Sequence, residues 1–308
     1  METRALGTGG PQLSVIGLGC NNFGMRIDAD GSAAVVDAAL DAGITHFDTA
    51  EMYGGGKSEE FLGAALGARR DDVVIATKYT PRPKEQEYSP GVLGARIREA
   101  AEGSLRRLGT DRIDVYYQHY FDADAPVEEA LTALDELVRA GKVLHLANSN
   151  DTGAQIAESE AVSREKGLAR FTGTQIEWSL LSRAVEDEIV PAATVAGLGV
   201  VPYFPLASGL LTGKYRKGEP FPEGTRLAAS SYFASAATDE NFDRIERYVA
   251  FAEARGHTIT ELAIGWLLAQ PSVTSVIAGA TKPEQVAANV AAAGWTLTPD
   301  EAAEVAAI

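Results

Sequence analysis

Residues 47–60 read FDTAEMYGGGKSEE, and two incompatible structures fit them. Three glycines followed by Lys57 and Ser58 look like the tail of a phosphate-binding loop. Alternatively the glycines only make a turn, and the chemistry lies just upstream in Asp48 and Tyr53. A phosphate loop needs G-x-x-x-x-G-K-[ST], so that its first glycine lets the backbone wrap the phosphates. Counting back from Gly56, that position holds Glu51, a carboxylate that repels phosphate. The glycines are therefore a turn, Lys57 is a solvated turn residue, and Ser58, Glu60 and their neighbours start a helix.

Outward from this stretch, short apolar runs of strand type alternate with amphipathic runs of helix type. The strand candidates are SVIGLGC, ITHFDT, DVVIATK, DRIDVYYQH, VLHLANS, FTGTQIE, LGVVPYF and VTSVIAG. Helix candidates lie between them, among them AAVVDAALDAG, with Val35, Val36, Ala39 and Leu40 on one face. Glycine stands just past the predicted helix ends in GTDR, AGK and AGLG. Such βα alternation builds a parallel sheet, and eight units suit a closed (β/α)8 TIM barrel better than an open doubly wound sheet. The regular spacing of Phe47, Thr77, Gln118, Ala147, Ile176 and Phe204 predicts one α/β domain over residues 1–308, without a linker. The opening RALGTGGPQLSVIGLG predicts a β-hairpin around Gly9, Gly10 and Pro11 that floors the barrel. Residues 79–93 and 205–237 are too long for simple turns and predict lids or binding loops at the barrel's C-terminal face.

Hydrophobic content of 45% and charged content of 23% suit a globular enzyme. A net charge of −16 argues against nucleic-acid or anionic-membrane partners, which require positive surface. One cysteine, Cys20, excludes an intrachain disulfide and points to a reducing compartment. The N-terminus lacks a signal-peptide pattern and no apolar run reaches spanning length, so the expected location is cytoplasmic. No metal site is expected, and the oligomeric state is open.

In a parallel barrel the carboxyl ends of the strands form the active face. Asp48, Lys78 and His119 end three successive strands, and Tyr53 follows Asp48 closely. Singly, each has a plain structural explanation: a helix cap, a solvated strand end, a loop histidine. Together, a carboxylate, an ammonium, a phenol and an imidazole on one rim can make a proton-transfer cluster.

At this point GITHFDTAEMYG, ATK, DVYYQH, KVLHLANSN, TQIEWS and LLTGKY resemble, in order and over nearly the whole chain, the aldo-keto reductase superfamily. The resemblance implies an NAD(P)H-dependent carbonyl reductase acting on a small-molecule aldehyde or ketone, with Asp48, Tyr53, Lys78 and His119 as its catalytic set. Tyr53 would give the proton, and Lys78 would lower its pKa, an isolated phenol being a weak acid near 10. Asp48 would hold Lys78 charged, and His119 would polarise the substrate carbonyl. There is no G-x-G-x-x-G, so the cofactor is expected across the barrel mouth. By the same resemblance Ser149, Asn150 and Gln175 would hold the nicotinamide carboxamide, and Tyr203 would stack beneath the ring. Gly19, Cys20 and Asn21, at the end of the first strand, are also expected among the cofactor-binding residues at this mouth. Pro205, Leu206, Ser208, Gly209, Leu211 and Lys214, within residues 205–215, match the pyrophosphate-covering loop, and Phe204 just before it is also expected to bind the cofactor. Gly279, Ala280, Thr281, Lys282, Gln285 and Asn289 match the adenosine segment.

Some positions depart from the family pattern. Thr281 stands where many relatives have arginine, Ala288 where an acid is common, Asn148 where a small apolar residue is usual, and Phe204 where serine is. NADP(H) is favoured over NAD(H) by family habit, and whether Lys282 reaches a 2′-phosphate is open. The resemblance carries two alternatives, a sugar dehydrogenase working oxidatively and a cofactor-binding subunit like potassium-channel β subunits. The latter commonly have N-terminal extensions and lack the histidine, whereas this chain starts just before its hairpin and has His119.

Overall fold

The structure is a computed structural model that describes residues 1–83 and 85–308. It opens with an antiparallel hairpin of β1 (Thr3–Ala5) and β2 (Gln12–Ser14). Eight strands follow: β3 (Ile16–Gly19), β4 (His46–Asp48), β5 (Val74–Tyr79), β6 (Ile113–Gln118), β7 (Val143–Ser149), β8 (Phe171–Glu177), β9 (Gly199–Tyr203) and β10 (Val276–Gly279). They pair in parallel in the order β10-β3-β4-β5-β6-β7-β8-β9. A parallel bridge between Val200 and Val273 closes the remaining seam, with the Thr274 amide donating to Val200 O at 2.8 Å. The eight runs of the sequence thus make the barrel that their alternation predicts.

The hairpin does floor it. Leu6 and Leu13 rise into the barrel and bury themselves among Ala76, Val115, Tyr117, Ala147, Val201 and Ile277. Gly173 records how close they come, because a Cβ there would lie 2.6 Å from Leu6 Cδ1.

Helices α1 (Ala29–Asp41), α2 (Lys57–Leu66), α3 (Val92–Leu108), α4 (Val127–Arg139), α5 (Gly153–Lys166) and α6 (Ile189–Ala196) follow successive strands. On α1 the expected stripe, Val35, Val36 and Ala39, is buried, with Leu40 at its edge. Beyond β9 the segment 205–237 is more ordered than a plain loop. It holds a 3-10 turn (Ala207–Thr212) and two short helices, α7 (Arg226–Ala229) and α8 (Ser231–Ala234). Then come α9 (Asp239–Glu253), α10 (Ile259–Leu268), α11 (Pro283–Ala292) and α12 (Pro299–Ala306). The strand-and-helix alternation leaves α11 and α12 unassigned. Their signals are punctuation: proline in each first turn, and a Thr298–Glu301 capping box on α12. The expected loop 79–93 runs from the end of β5, which includes Tyr79, to Gly91, and its residue 84 lies outside the described residues. Among the described residues no helix is long and apolar enough to cross a membrane.

Candidate active site

Side chains alternate along a strand, so Asp48 and Lys78, at the ends of β4 and β5, turn inward to the same rim. Lys78 Nζ donates to Asp48 Oδ1 at 2.6 Å and to Thr49 O at 2.8 Å. The second carboxylate oxygen accepts from Gln175 Nε2 of β8 at 2.8 Å. All three side chains are buried. Above them Lys78 Nζ lies 5.1 Å from the Tyr53 ring centre, and the Tyr53 ring meets His119 edge-on at 5.9 Å. The four residues read from the sequence are therefore together.

The glycines explain how Tyr53 gets there. Gly54, Gly55 and Gly56 have φ of +59°, +65° and +95°, three left-handed residues in succession that side chains would strain. This turn sets Tyr53 over Lys78 and leads directly into α2, which begins at Lys57, one residue before Ser58. Ser58 faces inward: its hydroxyl donates to Cys20 O and pairs with Thr49 Oγ1, each at 2.8 Å. Lys57 is exposed. Neither is arranged to hold a phosphate.

The electrostatics add one correction. Burial pulls Lys78 down, but Asp48 and then Tyr53 more than offset this, and its pKa stands above that of ordinary lysine. For Tyr53 burial is the largest influence and raises the pKa. Lys78 pulls it back only in part, so the net shift is upward rather than the lowering expected from the sequence. Burial and then Lys78 push His119 down to about 3, so its imidazole is neutral across the physiological range. His119 Nδ1 is sealed and without a hydrogen-bond partner, which leaves Nε2 as the nitrogen available to a ligand.

Around this cluster lie the residues matched to a nicotinamide cofactor. Tyr203 OH donates to Asn150 Oδ1 at 2.7 Å, while Asn150 Nδ2 donates to His119 O and Ser149 Oγ. Ser149 Oγ in turn donates to Gln175 O at 3.0 Å. The four non-glycine residues with positive φ among those described are Asn150, Phe204, Ala207 and Ser208, all at this face. Such backbone costs about 1–3 kcal/mol each and collects at functional sites. Leu206 and Gly209 share that loop, Pro205 is buried in it, and Lys214 Nζ lies over the Tyr215 ring. Cys20 and Leu211 are fully buried with amides already bonded, to Asp48 O and Leu206 O. Near β10, Gly279 lies beside Asn21 and Asn22, and Asn22 Nδ2 donates to Ala280 O at 3.2 Å. Gln285 Oε1 is occupied by the amide and hydroxyl of Thr281, Lys282 is the N-cap residue of α11, and Asn289 is buried.

Residues 15–308 match the family described as the aldo/keto reductase family. The chain belongs to it. This aldo/keto reductase is 36% identical to an uncharacterized oxidoreductase, YrpG, of Bacillus subtilis (strain 168), over 93% of this chain and 89% of that one. It is 33% identical to a probable aldo-keto reductase 1 of Glycine max, over 97% and 86%. It is also 35% identical to a probable voltage-gated potassium channel subunit beta of Oryza sativa subsp. japonica, over 100% and 96%. That last match spans nearly the whole of both chains.

One residue of this aldo/keto reductase escaped the sequence reading. Arg226, on α7, packs its guanidinium over Phe204 and Phe233, at 5.6 and 5.1 Å, and donates to Asn22 Oδ1. Among the described residues no carboxylate acts on it, and burial lowers its pKa. The only available signal was a single arginine in the small-residue run GTRLAASSYFASAA, residues 224–237.

Proposed function

We propose that this aldo/keto reductase is a cytoplasmic NADPH-dependent carbonyl reductase that converts an aldehyde or ketone to an alcohol. The reading rests on one observation above others, the buried Asp48–Lys78 pair lying beneath Tyr53 and His119 on a single rim. Bound NADPH would supply the hydride. His119, neutral and open at Nε2, donates a hydrogen bond to the substrate carbonyl oxygen and aligns it. Tyr53 gives that oxygen its proton. A phenol raised by burial holds its proton at neutral pH, as an acid must, and Lys78 limits the cost of the tyrosinate left behind. Asp48, doubly bonded by Lys78 and Gln175, keeps the ammonium charged and in place.

The cofactor reading is supported by the polar groups around the mouth. Gln175 engages only its amide nitrogen, so its oxygen is left for a carboxamide, with Ser149 and Asn150 beside it. Arg226, without a carboxylate, suits a phosphate of the cofactor, alongside Lys214 and Lys282. A second reading, a cofactor-sensing regulatory subunit, draws on the relatives named as channel β subunits. Steady-state turnover of sugars, aromatic aldehydes and ketones with NADPH and NADH separates the two. Tight cofactor binding with no turnover across that panel would favour the subunit.

A further inference from the structure

Behind the rim, on the outward side of the strands, lies a second polar network that the chemistry above does not use. Tyr79 follows Lys78, Gln118 precedes His119 and Asp151 follows Asn150. Tyr79 OH donates to Gln118 Oε1 at 3.0 Å, and Gln118 Nε2 donates to both oxygens of Asp151, at 3.2 and 3.3 Å. All three are buried, Asp151 completely. The pairing register continues the row, with Tyr79 opposite Gln118, Gln118 opposite Asn148, and Asn148 opposite Thr174. Asn148 and Thr174 are fully buried with unpartnered side-chain polar atoms. Outward positions of a barrel strand pack against helices, where burying polar groups costs free energy. A carboxylate held there by one amide is expensive, and burial raises its pKa to about 7 in spite of the Gln118 hydrogen bond.

The network grips the peptides that carry two rim residues. The His119 amide donates to Tyr79 O at 3.1 Å, and Asn150 Nδ2 donates to His119 O at 3.0 Å. Asn150 holds φ of +63°, a conformation that must be enforced by its surroundings. On the hidden face the Gln118–Asp151 bond ties the same two peptides a second time. We propose that Asp151, through Gln118, is a positioning residue that fixes His119 and Asn150, and that its ionisation alters their placement. Ionised, Asp151 accepts the amide on both oxygens; protonated, it loses the charge that strengthens this bond. Burial and the Gln118 amide govern its charge, while Asp122 and Arg96 act on the neighbouring Tyr79 phenol. His119 does not titrate in the same range.

This inference builds on the proposed reductase activity, so its first readout is independent of turnover. The His119 ring and Asn150 side-chain amide signals are followed by NMR from pH 5.5 to 8.5 in the full-length protein. Both should shift with a midpoint near that of Asp151 in the wild type and stay flat in Asp151→Asn. Should that variant not fold, the double variant Gln118→Leu/Asp151→Leu replaces the pair with apolar side chains, and its signals should likewise be flat. Flat wild-type signals, or an unchanged step in the variants, would overturn the proposal. At pH 8, Asp151→Asn should also lose about tenfold in kcat through misplacement alone, and a wild-type kcat would equally overturn it. Absence of any wild-type turnover would count against the reductase reading, with the NMR titration still deciding this one.

Discussion

Lys78 Nζ stands 2.6 Å from Asp48 Oδ1 with both side chains sealed, at 0% and 4% exposure. Removing one charge from such a pair leaves the other buried without compensation, typically at a cost of about 3–5 kcal/mol. In Asp48→Asn the largest influence raising the Lys78 pKa disappears while burial, which lowers it, remains. Neutral Lys78 then ceases to favour tyrosinate, so the coupled cluster shifts its apparent pKa in the pH–rate profile as the rate falls. Thermal melts and pH–rate curves measure both effects. An unchanged profile in a folded variant would refute the coupling.

Tyr53→Phe removes the hydroxyl and little else. Turnover should fall by at least about a hundredfold, the lower end of the usual worth of a positioned acid, with NADPH affinity nearly unchanged. Fluorescence titration beside steady-state kinetics tests the pair of statements. Near wild-type turnover would remove Tyr53 from its role.

For the cofactor, Lys282 and Arg226 give separable expectations. NADPH should bind more tightly than NADH, and Lys282→Ala should narrow the gap. Arg226→Met keeps the packing over Phe204 and Phe233 but loses the charge, and should weaken NADPH by about ten- to hundredfold, as for one charge-assisted contact. Equal wild-type affinities for the two cofactors would end the preference.

What the sequence disclosed follows from how local each signal is. The eight strands were legible because apolar runs of fixed length alternate with helical periodicity, and Asp48, Lys78 and His119 because they end such runs. The fine placement was not. Whether Lys78 or burial dominates Tyr53 depends on how far the ring is desolvated, which spacing does not encode. Arg226 acquires meaning only when α7 brings it to Phe204 and Asn22, distant in the chain. Likewise, Gln118 and Asp151 read as ordinary polar residues until their parity on the barrel wall is known.

Titration gives two opposite signs. Burial lowers His46 from 6.5 to about 4, so its contribution to stability is present above 6.5 and is lost as the pH falls through 4. Replacing it by asparagine should destabilise the protein at pH 7.5, and the deficit should shrink on acidification. Burial raises Asp151 from 3.8 to about 7, so its contribution is present below 3.8 and is lost as the pH rises through 7. Asp151→Asn should therefore raise the melting temperature more at pH 8 than at pH 4. Melts across that range check both, and pH-independent differences would contradict the assignments.

The last prediction returns to the glycine turn before α2. In a phosphate loop Lys57 and Ser58 would be the ligands, and losing either would abolish binding. Here Lys57 is exposed, so Lys57→Ala should leave stability and turnover close to wild type. Ser58 instead ties α2 to Cys20 O and Thr49 Oγ1 beneath the rim. Ser58→Ala leaves these buried groups short of a partner, at about 1–3 kcal/mol, and should lower the melting temperature without a specific loss of NADPH affinity. Gly54→Ala is the sharper probe, because φ there is +59° and the new Cβ would lie 2.9 Å from Phe23 O. The chain must shift to relieve that contact, and Tyr53, the preceding residue, shifts with it. Turnover should fall well beyond what the change in melting temperature explains. If Lys57→Ala abolished activity while Gly54→Ala preserved it, the turn would not be what sets Tyr53 over Lys78.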